Sequence, residues 1–227
     1  MLALIRYPRG SICIANLTYA TWGNMSTQSS YVERFLNESI EIISQLDRES
    51  IGRSADLLKT VKDRGGRLFF AGSGGGAGHA SHATADFRKI AGIQSYSVTD
   101  NVSELTARIN DEGWDTAYEM WLKGSRMDAN DALFVFSVGG GDAEKGISTN
   151  LVRAIDHAKS VGAIVLGVAG RDGGHLLRNA DSMILIPTVD PKNVTTQTEG
   201  FQALMWHLLV AHPSLEGAVP KWESVTL

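Results

Sequence analysis

The chain has 227 residues, of which 43% are hydrophobic and 20% charged, and its net charge is −4. These values are typical of a globular domain, and they argue against a nucleic-acid or anionic-membrane partner, since neither would be attracted to a mildly acidic protein. The single cysteine, Cys13, excludes an intrachain disulfide and a CxxC metal site, and it is consistent with a reducing cytoplasm. A bound metal would therefore need histidine and carboxylate ligands.

The first part of the chain is mildly apolar, but it lacks a run long enough for a signal peptide or a membrane span. Arg6, Pro8 and Arg9 interrupt the apolar residues there. Met25 precedes a short polar segment and then a predicted amphipathic helix. Translation starting at Met25 would therefore remove the mildly apolar residues before it. We therefore expect residues 1–27 to be a disordered leader or a misassigned start, 28–215 to form one domain, and 216–227 to be a C-terminal tail.

Hydrophobic periodicity then predicts an N-terminal helical segment followed by alternating strands and helices. Apolar residues at helical spacing from Val32 to Leu46 predict a first helix. A second helix is predicted over 54–62, and another over 147–162, where Leu151, Ile155 and Ala158 share one face. Short apolar runs ended by turn residues predict strands, and they cover 67–72, 93–100, 132–141, 163–170 and 182–187. The pattern predicts a single doubly wound α/β domain with a central parallel five-stranded sheet flanked by helices.

Glycine clusters follow three of these predicted strands, at residues 72–78, 137–142 and 169–174. The carboxyl ends of parallel strands are where ligands bind in open α/β sheets, and a glycine loop that opens a helix presents free N–H groups to an anion. Glycine can also serve only to allow a tight turn. Ser73 and Ser137, at matching strand ends, favour the phosphate-binding interpretation.

A dinucleotide site is the alternative for the first cluster. Gly72, Gly74 and Ala77 satisfy G-x-G-x-x-A after a strand. The acidic residue that would bind the ribose is Asp100, which comes late, and the other two clusters are left without a role. The sequence therefore favours the phosphate of a small molecule.

His82 and Asp86 follow the first glycine loop on the same predicted helix. Their spacing of four residues places both side chains on one face, a turn apart. Such a pair can chelate a divalent cation or combine an acid with a base. An exposed surface pair remains the alternative from spacing alone, but the neighbouring glycine loop favours a site.

In this order the motifs resemble the SIS (sugar isomerase) domain family, and phosphoheptose isomerases most of all, over residues 28–212. The family's first loop reads approximately G-N-G-G-S and precedes a helix with H-x-x-x-E. The matching residues here are Gly72, Ser73, Gly74, Gly75 and Gly76, followed by His82 and Asp86.

The rest of the chain extends the resemblance. The family's phosphate-binding second loop matches SVGGGD from Ser137, its TGxDGG stretch matches AGRDGG, and its ND-x-G matches NDEGWD, which contains Asp111. On the last helix the family has Gln eight residues before a catalytic His, and Glu199 and His207 stand at that interval.

The chain departs from the family at several positions: Ser73 replaces Asn, Asp86 replaces Glu, Glu199 replaces Gln, glycines replace hydroxyl residues at 139–141, and AEKGISTN resembles an insertion.

The resemblance implies a SIS fold and an aldose–ketose isomerase that converts sedoheptulose 7-phosphate to D-glycero-D-manno-heptose 7-phosphate through an enediol. It implies that Asp86 is the base, His207 the acid, and His82, Asp86, Glu199 and His207 the ligands of a zinc ion. Substrate and phosphate would be bound by Ser73, Gly74, Gly75, Gly76, Ser137, Gly139, Gly140, Gly141 and Asp111. A homotetramer with sites between subunits is also implied. The alternative is a non-catalytic phosphosugar-binding or protein-assembly module, which would lose the base and the acid while keeping the loops.

Overall fold

The computed structural model describes residues 3–6, 12–15 and 27–218. The chain divides into two compact units, Met1–Asn37 and Glu38–Leu227. In the first unit, strands β1 (Ala3–Arg6) and β2 (Ile12–Ala15) pair antiparallel. Apart from these strands and Thr27, the predicted leader over 1–27 lies outside the described residues, as does the predicted tail beyond residue 218. Both remain predictions.

Helix α1 (Thr27–Gln45) spans the boundary between the units, and the second unit contains the main sheet. Its other elements are α2 (Arg48–Asp63), β3 (Leu68–Gly72), α3 (Gly75–Lys89), β4 (Ser95–Ser97), α4 (Val102–Glu112), α5 (Ala117–Gly124), β5 (Ala132–Ser137), α6 (Thr149–Ser160), β6 (Ile164–Ala169), α7 (Gly174–Asn179), β7 (Ser182–Leu185) and α8 (Val194–Val210). None of the described helices has the length and apolar character that a membrane span requires.

The sheet has five parallel strands in the order β4-β3-β5-β6-β7. This confirms the predicted fold class and all five predicted strands. Every residue of β3 and of β5 is buried, as expected for strands covered by helices on both sides. Successive side chains point to opposite faces, so Phe70 and Phe134 join one core cluster while Phe69 and Leu133 join the other.

Helices cover both faces of this sheet. On the first face, α2, α3 and α8 contribute Leu58, Phe87 and Trp206 to the core, each at most 1% exposed. On the second face, α5 and α6 contribute buried residues that include Tyr118 and Ile155. Burying so much apolar surface on both sides stabilises the sheet and fixes its carboxyl edge as a rigid base for the loops.

The three glycine clusters lie next to one another at that edge, because β3, β5 and β6 are adjacent and parallel. The second and third clusters are joined by backbone hydrogen bonds: the amides of Gly170, His175 and Leu176 donate to the carbonyls of Val138, Gly141 and Gly140 at 3.0, 2.8 and 3.0 Å. The two loops therefore form one packed wall beside the first loop.

Candidate functional site

The first glycine loop connects β3 to α3 and allows close approach to neighbouring groups. Gly74 has a φ of 58°, in the left-handed region that favours glycine. A Cβ at Gly76 would lie 2.7 Å from the carbonyl oxygen of Phe136, and a Cβ at Gly75 would lie 2.5 Å from a carboxylate oxygen of Glu199. The helix start therefore packs directly against β5 and against the first half of α8.

Polar contacts hold the two serines of the loops. Asn150 donates from Nδ2 to the hydroxyl oxygen of Ser73 at 3.2 Å. The hydroxyl oxygen of Ser137 accepts the amide of Gly140 at 3.0 Å, while Gln202 donates to the Ser137 carbonyl at 3.0 Å. The oxygens of both serines act as hydrogen-bond acceptors in these contacts.

A cavity of about 440 Å³ lies among these loops. Four of the predicted phosphate-binding residues line it: Ser73, Ser137, Gly139 and Gly141. Its wall also includes Lys145, Arg171 and Arg178, three basic residues that the sequence analysis did not identify. Arg171 stands inside the third glycine cluster, AGRDGG, and a cationic side chain in such a loop was the signal available in the sequence.

Other residues predicted to bind phosphate lie elsewhere. Gly74, Gly75, Gly76 and Gly140 are not part of the cavity wall. Asp111 lies near the end of α4, exposed to solvent, and its Oδ1 accepts a hydrogen bond from Asn110 at 2.7 Å. The structure therefore does not bring Asp111 to the cavity wall.

His82, Asp86 and His207 come together on the face formed by α3 and α8. One ligand atom from each of these residues lies within 4.8 Å of the others. His82 Nε2 and Asp86 Oδ2 are 3.8 Å apart, which is too long for a hydrogen bond. The side chain of His82 is 62% exposed and that of Asp86 21% exposed. The three groups therefore share one solvent-accessible position without being bonded to each other.

The ring of His207 is oriented by its own helix. Its Nδ1 lies 2.7 Å from the carbonyl oxygen of Ala203, so Nδ1 carries a hydrogen and donates it to this bond. Trp206 is 1% exposed, and its ring lies 3.4 Å from the His207 ring and 4.7 Å from the His82 ring, between centroids. The buried indole therefore supports both imidazoles, and Nε2 of His207 is free to take up a proton or a metal ion.

Glu199, the fourth predicted metal ligand, lies at a different place. Its carboxylate sits against Gly75 at the start of α3, and it is not part of the group of three ligand atoms. Helix geometry explains this, because eight residues along α8 separate Glu199 from His207 by about 12 Å. His79 lies between the two places. Burial lowers the pKa of His79, while Glu199 opposes that effect.

The family model described as SIS domain matches residues 31–170, more than half of the chain. The chain belongs to the SIS domain family. Its curated relatives include the lincomycin biosynthesis protein LmbN of Streptomyces lincolnensis, 34% identical, with 86% of this chain and 73% of that protein covered. Phosphoheptose isomerase of Helicobacter pylori (strain Shi470) is 28% identical, with 76% and 86% covered.

Solved structures share the SIS fold of this chain. Phosphoheptose isomerase GmhA from Neisseria gonorrhoeae superposes with a TM-score of 0.70 at 24% identity, covering 84% of this chain and 99% of that one. A phosphoheptose isomerase from Francisella tularensis gives a TM-score of 0.69 at 21% identity, covering 85% and 99%. At these identities the likeness establishes the fold.

Proposed function

We propose that this SIS protein is an aldose–ketose isomerase acting on a phosphorylated sugar, and that it converts sedoheptulose 7-phosphate to D-glycero-D-manno-heptose 7-phosphate. The observation that carries the proposal is the convergence of His82, Asp86 and His207, whose ligand atoms lie within 4.8 Å of one another. A binding-only module would not need a base and an acid at one position. Support also comes from the phosphoheptose isomerases among its relatives.

The reaction moves one proton between neighbouring carbons and one between their oxygens. Asp86 takes the proton from C1 of the ketose, while O2 gains a proton from Nε2 of His207 in its protonated form, which gives the enediol. His207 then takes the proton from O1, and Asp86 returns its proton to C2, which gives the aldose. His207 suits this role because its Nδ1 hydrogen is bound to Ala203, so every proton it exchanges passes through Nε2.

The same three side chains fit a divalent metal ion. Two ligands of a tetrahedral zinc lie about 3.4 Å apart, close to the 3.8 Å between His82 Nε2 and Asp86 Oδ2. Imidazole nitrogens and a carboxylate oxygen are acceptable zinc ligands, and we propose that His82, Asp86 and His207 hold zinc here. A bound cation supplies positive charge that stabilises the negative charge developing on the sugar oxygens. Since Nε2 of His207 cannot hold a metal and carry a proton at once, the metal content of active protein decides between its two roles.

The cavity is proposed to hold the phosphate, with Ser73 and Ser137 as donors from its wall. Neither His82, Asp86 nor His207 lines this cavity. Along α3, the seven residues from Gly75 to His82 correspond to about 10 Å. A substrate would have to be extended to reach both places in one subunit, which supports a long sugar phosphate or a site shared between subunits.

A homotetramer with sites at subunit interfaces is part of the proposal. The proposed catalytic face is exposed in the single chain: His82 has 62% of its side chain exposed, and the flanking Leu204 and Leu208 are 47% and 39% exposed. A neighbouring subunit over this face would exclude water from the reaction and would bury the apolar side chains. The single cysteine supports a cytoplasmic location.

Incubation with ketose phosphates of different chain lengths tests the function. We expect the purified protein to convert sedoheptulose 7-phosphate to the aldose, and to act more slowly on shorter or longer ketose phosphates. If no sugar phosphate were turned over, the isomerase function would be contradicted. The alternative of a non-catalytic phosphosugar-binding or protein-assembly module would then remain.

A further inference from the structure

The cavity wall contains cationic side chains that have no role in the proposed reaction. Arg171 lines the cavity together with Ser73 and Ser137. It has a φ of 55°, in the left-handed region that residues with a Cβ rarely adopt. Backbone in such a region persists only where the surrounding structure holds it, and it often marks a functional loop. The position of the Arg171 side chain indicates what this loop conformation serves.

The side chain of Arg171 crosses the second glycine loop at Gly139. A Cβ at Gly139 would meet Cδ of Arg171 at 3.3 Å and Nε at 3.9 Å, and no other atom within 4 Å. Gly139 does not have a positive φ, so its backbone does not require glycine. The missing side chain at this position gives Arg171 the space to lie along the cavity wall.

The guanidinium of Arg171 has no partner among the described residues. It forms neither a hydrogen bond nor an ion pair with any of them, in contrast to Lys145, whose Nζ lies 2.8 Å from Asp142. The Lys145 ammonium also lowers the pKa of the Asp142 carboxyl, so these two charges neutralise each other. Arg171 thus has no ion-pair partner among the described residues, and it shares the cavity wall with the hydroxyls of Ser73 and Ser137 and with the carboxylates of Asp142 and Asp172.

We propose that Arg171 is a phosphate-binding residue, whose guanidinium holds the phosphate monoester of the substrate in the cavity at Gly139. A guanidinium presents two parallel N–H groups that match two phosphate oxygens, and charge-assisted hydrogen bonds of this kind are stronger than neutral ones. The identity of the sugar rests on the proposed function, but phosphate binding itself can be measured without turnover.

The test compares the parent protein with Arg171→Gly in binding inorganic phosphate, measured by calorimetry on the full chain. Glycine adopts a φ of 55° without strain, so the variant should keep or raise the melting temperature. Its dissociation constant for phosphate should rise about tenfold or more, the scale for losing hydrogen bonds to a charged group. For the sugar phosphate, we expect a similar rise in KM with kcat within a few-fold of the parent.

Arg153→Gln serves as the matched control. Arg153 is an exposed arginine on α6, 3.8 Å from Glu119, and it does not line the cavity. This variant should bind phosphate as the parent does. Equal phosphate affinity in the parent and in Arg171→Gly would overturn the proposal, and so would a parent that binds no phosphate. Phosphate binding that depends on Arg171 in a protein without isomerase activity would support this proposal while contradicting the proposed function.

Discussion

Asp86 is the residue at which a catalytic and a structural interpretation of α3 differ most clearly. Its carboxylate lies 3.8 Å from His82, beyond hydrogen-bonding distance, so the pair contributes little as a surface ion pair. It also lies within 4.8 Å of a ligand atom of His207, which comes from a different helix. A carboxylate with no role beyond the helix surface would not need to lie close to His207.

Asp86→Asn should therefore abolish most of the activity while leaving the fold intact. The swap is nearly isosteric, but it removes both the proton acceptor and the negative ligand. We expect turnover to fall by roughly 10²-fold or more, the usual scale for losing a positioned general base. The melting temperature should stay close to that of the parent, since an exposed pair is worth at most about 1 kcal/mol. Elemental analysis of the same samples should show less bound zinc.

Two further variants control this experiment. Asp63 forms an exposed pair of the same spacing with Lys59, at 2.8 Å, so Asp63→Asn should leave turnover unchanged. Asp86→Glu lengthens the side chain by about one carbon–carbon bond, and a shift near 1 Å can affect rate strongly. If both Asp86 variants turned over like the parent, α3 would not carry the active site.

His157 gives the domain a pH-dependent stability that is independent of the site. Its Nε2 is buried and has no hydrogen-bond partner among the described residues. Burial lowers the pKa of His157, and the ammonium of Lys123 lowers it further. The unfolded chain therefore binds this proton more readily than the folded one, and protonation favours unfolding below about pH 6.5.

The free energy of unfolding should consequently fall between about pH 7.5 and about pH 5.5, and His157→Gln should show a smaller fall. Urea unfolding of both proteins at the two pH values measures the difference. An equal fall in both would mean that His157 titrates alike in the folded and unfolded chains.

Local sequence patterns predicted only some of the residues of the candidate site. The spacing of His82 and Asp86 was enough to place them on one helix face. His207 was identified through family resemblance, because nothing local links it to α3. Arg171 was missed, since the sequence does not reveal that a left-handed backbone directs its side chain over Gly139.

At the level of elements, the contact between the second and third glycine loops determines the shape of the cavity. Gly140 has a φ of 74°, and a Cβ there would lie 1.9 Å from the carbonyl oxygen of Gly173. The Gly173 backbone cannot move aside to relieve this clash as a flexible side chain could. The two loops would have to separate if residue 140 carried a side chain.

Gly140→Ala should accordingly destabilise the domain by about 3 kcal/mol or more, from backbone strain and the clash together. Gly146→Ala is the matched control, because Gly146 also has a positive φ, 64°, but no atom lies within 4 Å of its Cβ position. It should cost only about 1 kcal/mol. Urea unfolding compares the two variants, and similar losses would show that loop packing contributes nothing beyond strain.

The elements predicted from the sequence were those with the strongest hydrophobic signal. The strands were predictable because apolar runs end at glycine or proline, and α6 because its buried residues follow a helical period. Helix α4 was not predicted; none of its residues is fully buried, and Leu105 and Ile109 are only partly buried against the core. Strand β4 gave the weakest signal of the five because it has only three residues and Tyr96 points outward.

For the molecule as a whole, the exposed face around His207 predicts assembly. Leu204 and Leu208 stand a turn apart on α8 and are 47% and 39% exposed. On the same helix, Met205 and Trp206 are buried. The position of the two leucines beside the catalytic candidates could not be read from the sequence, because it depends on how α8 packs on α3.

Leu208→Glu should reduce both the mass of the assembly and the activity. We expect the parent to elute as a tetramer in size-exclusion chromatography with light scattering, and the variant to elute as a smaller species, since a buried carboxylate opposes subunit contact. Leu177→Glu changes a residue of α7 that is 47% exposed, and it should leave mass and activity unchanged. A monomeric parent with full activity would contradict a site shared between subunits.

The most direct test of enediol isomerisation at the His82, Asp86 and His207 cluster is solvent exchange followed by NMR. The parent protein is incubated with sedoheptulose 7-phosphate in D₂O, with Asp86→Asn in parallel. The carboxyl proton of Asp86 exchanges with D₂O while the enediol is bound, so the proposed reaction predicts that the parent forms the aldose with deuterium at C2, and that Asp86→Asn forms it at least about 10²-fold more slowly. An unchanged ketose in the parent sample, or equal deuterium incorporation by both proteins, would contradict it.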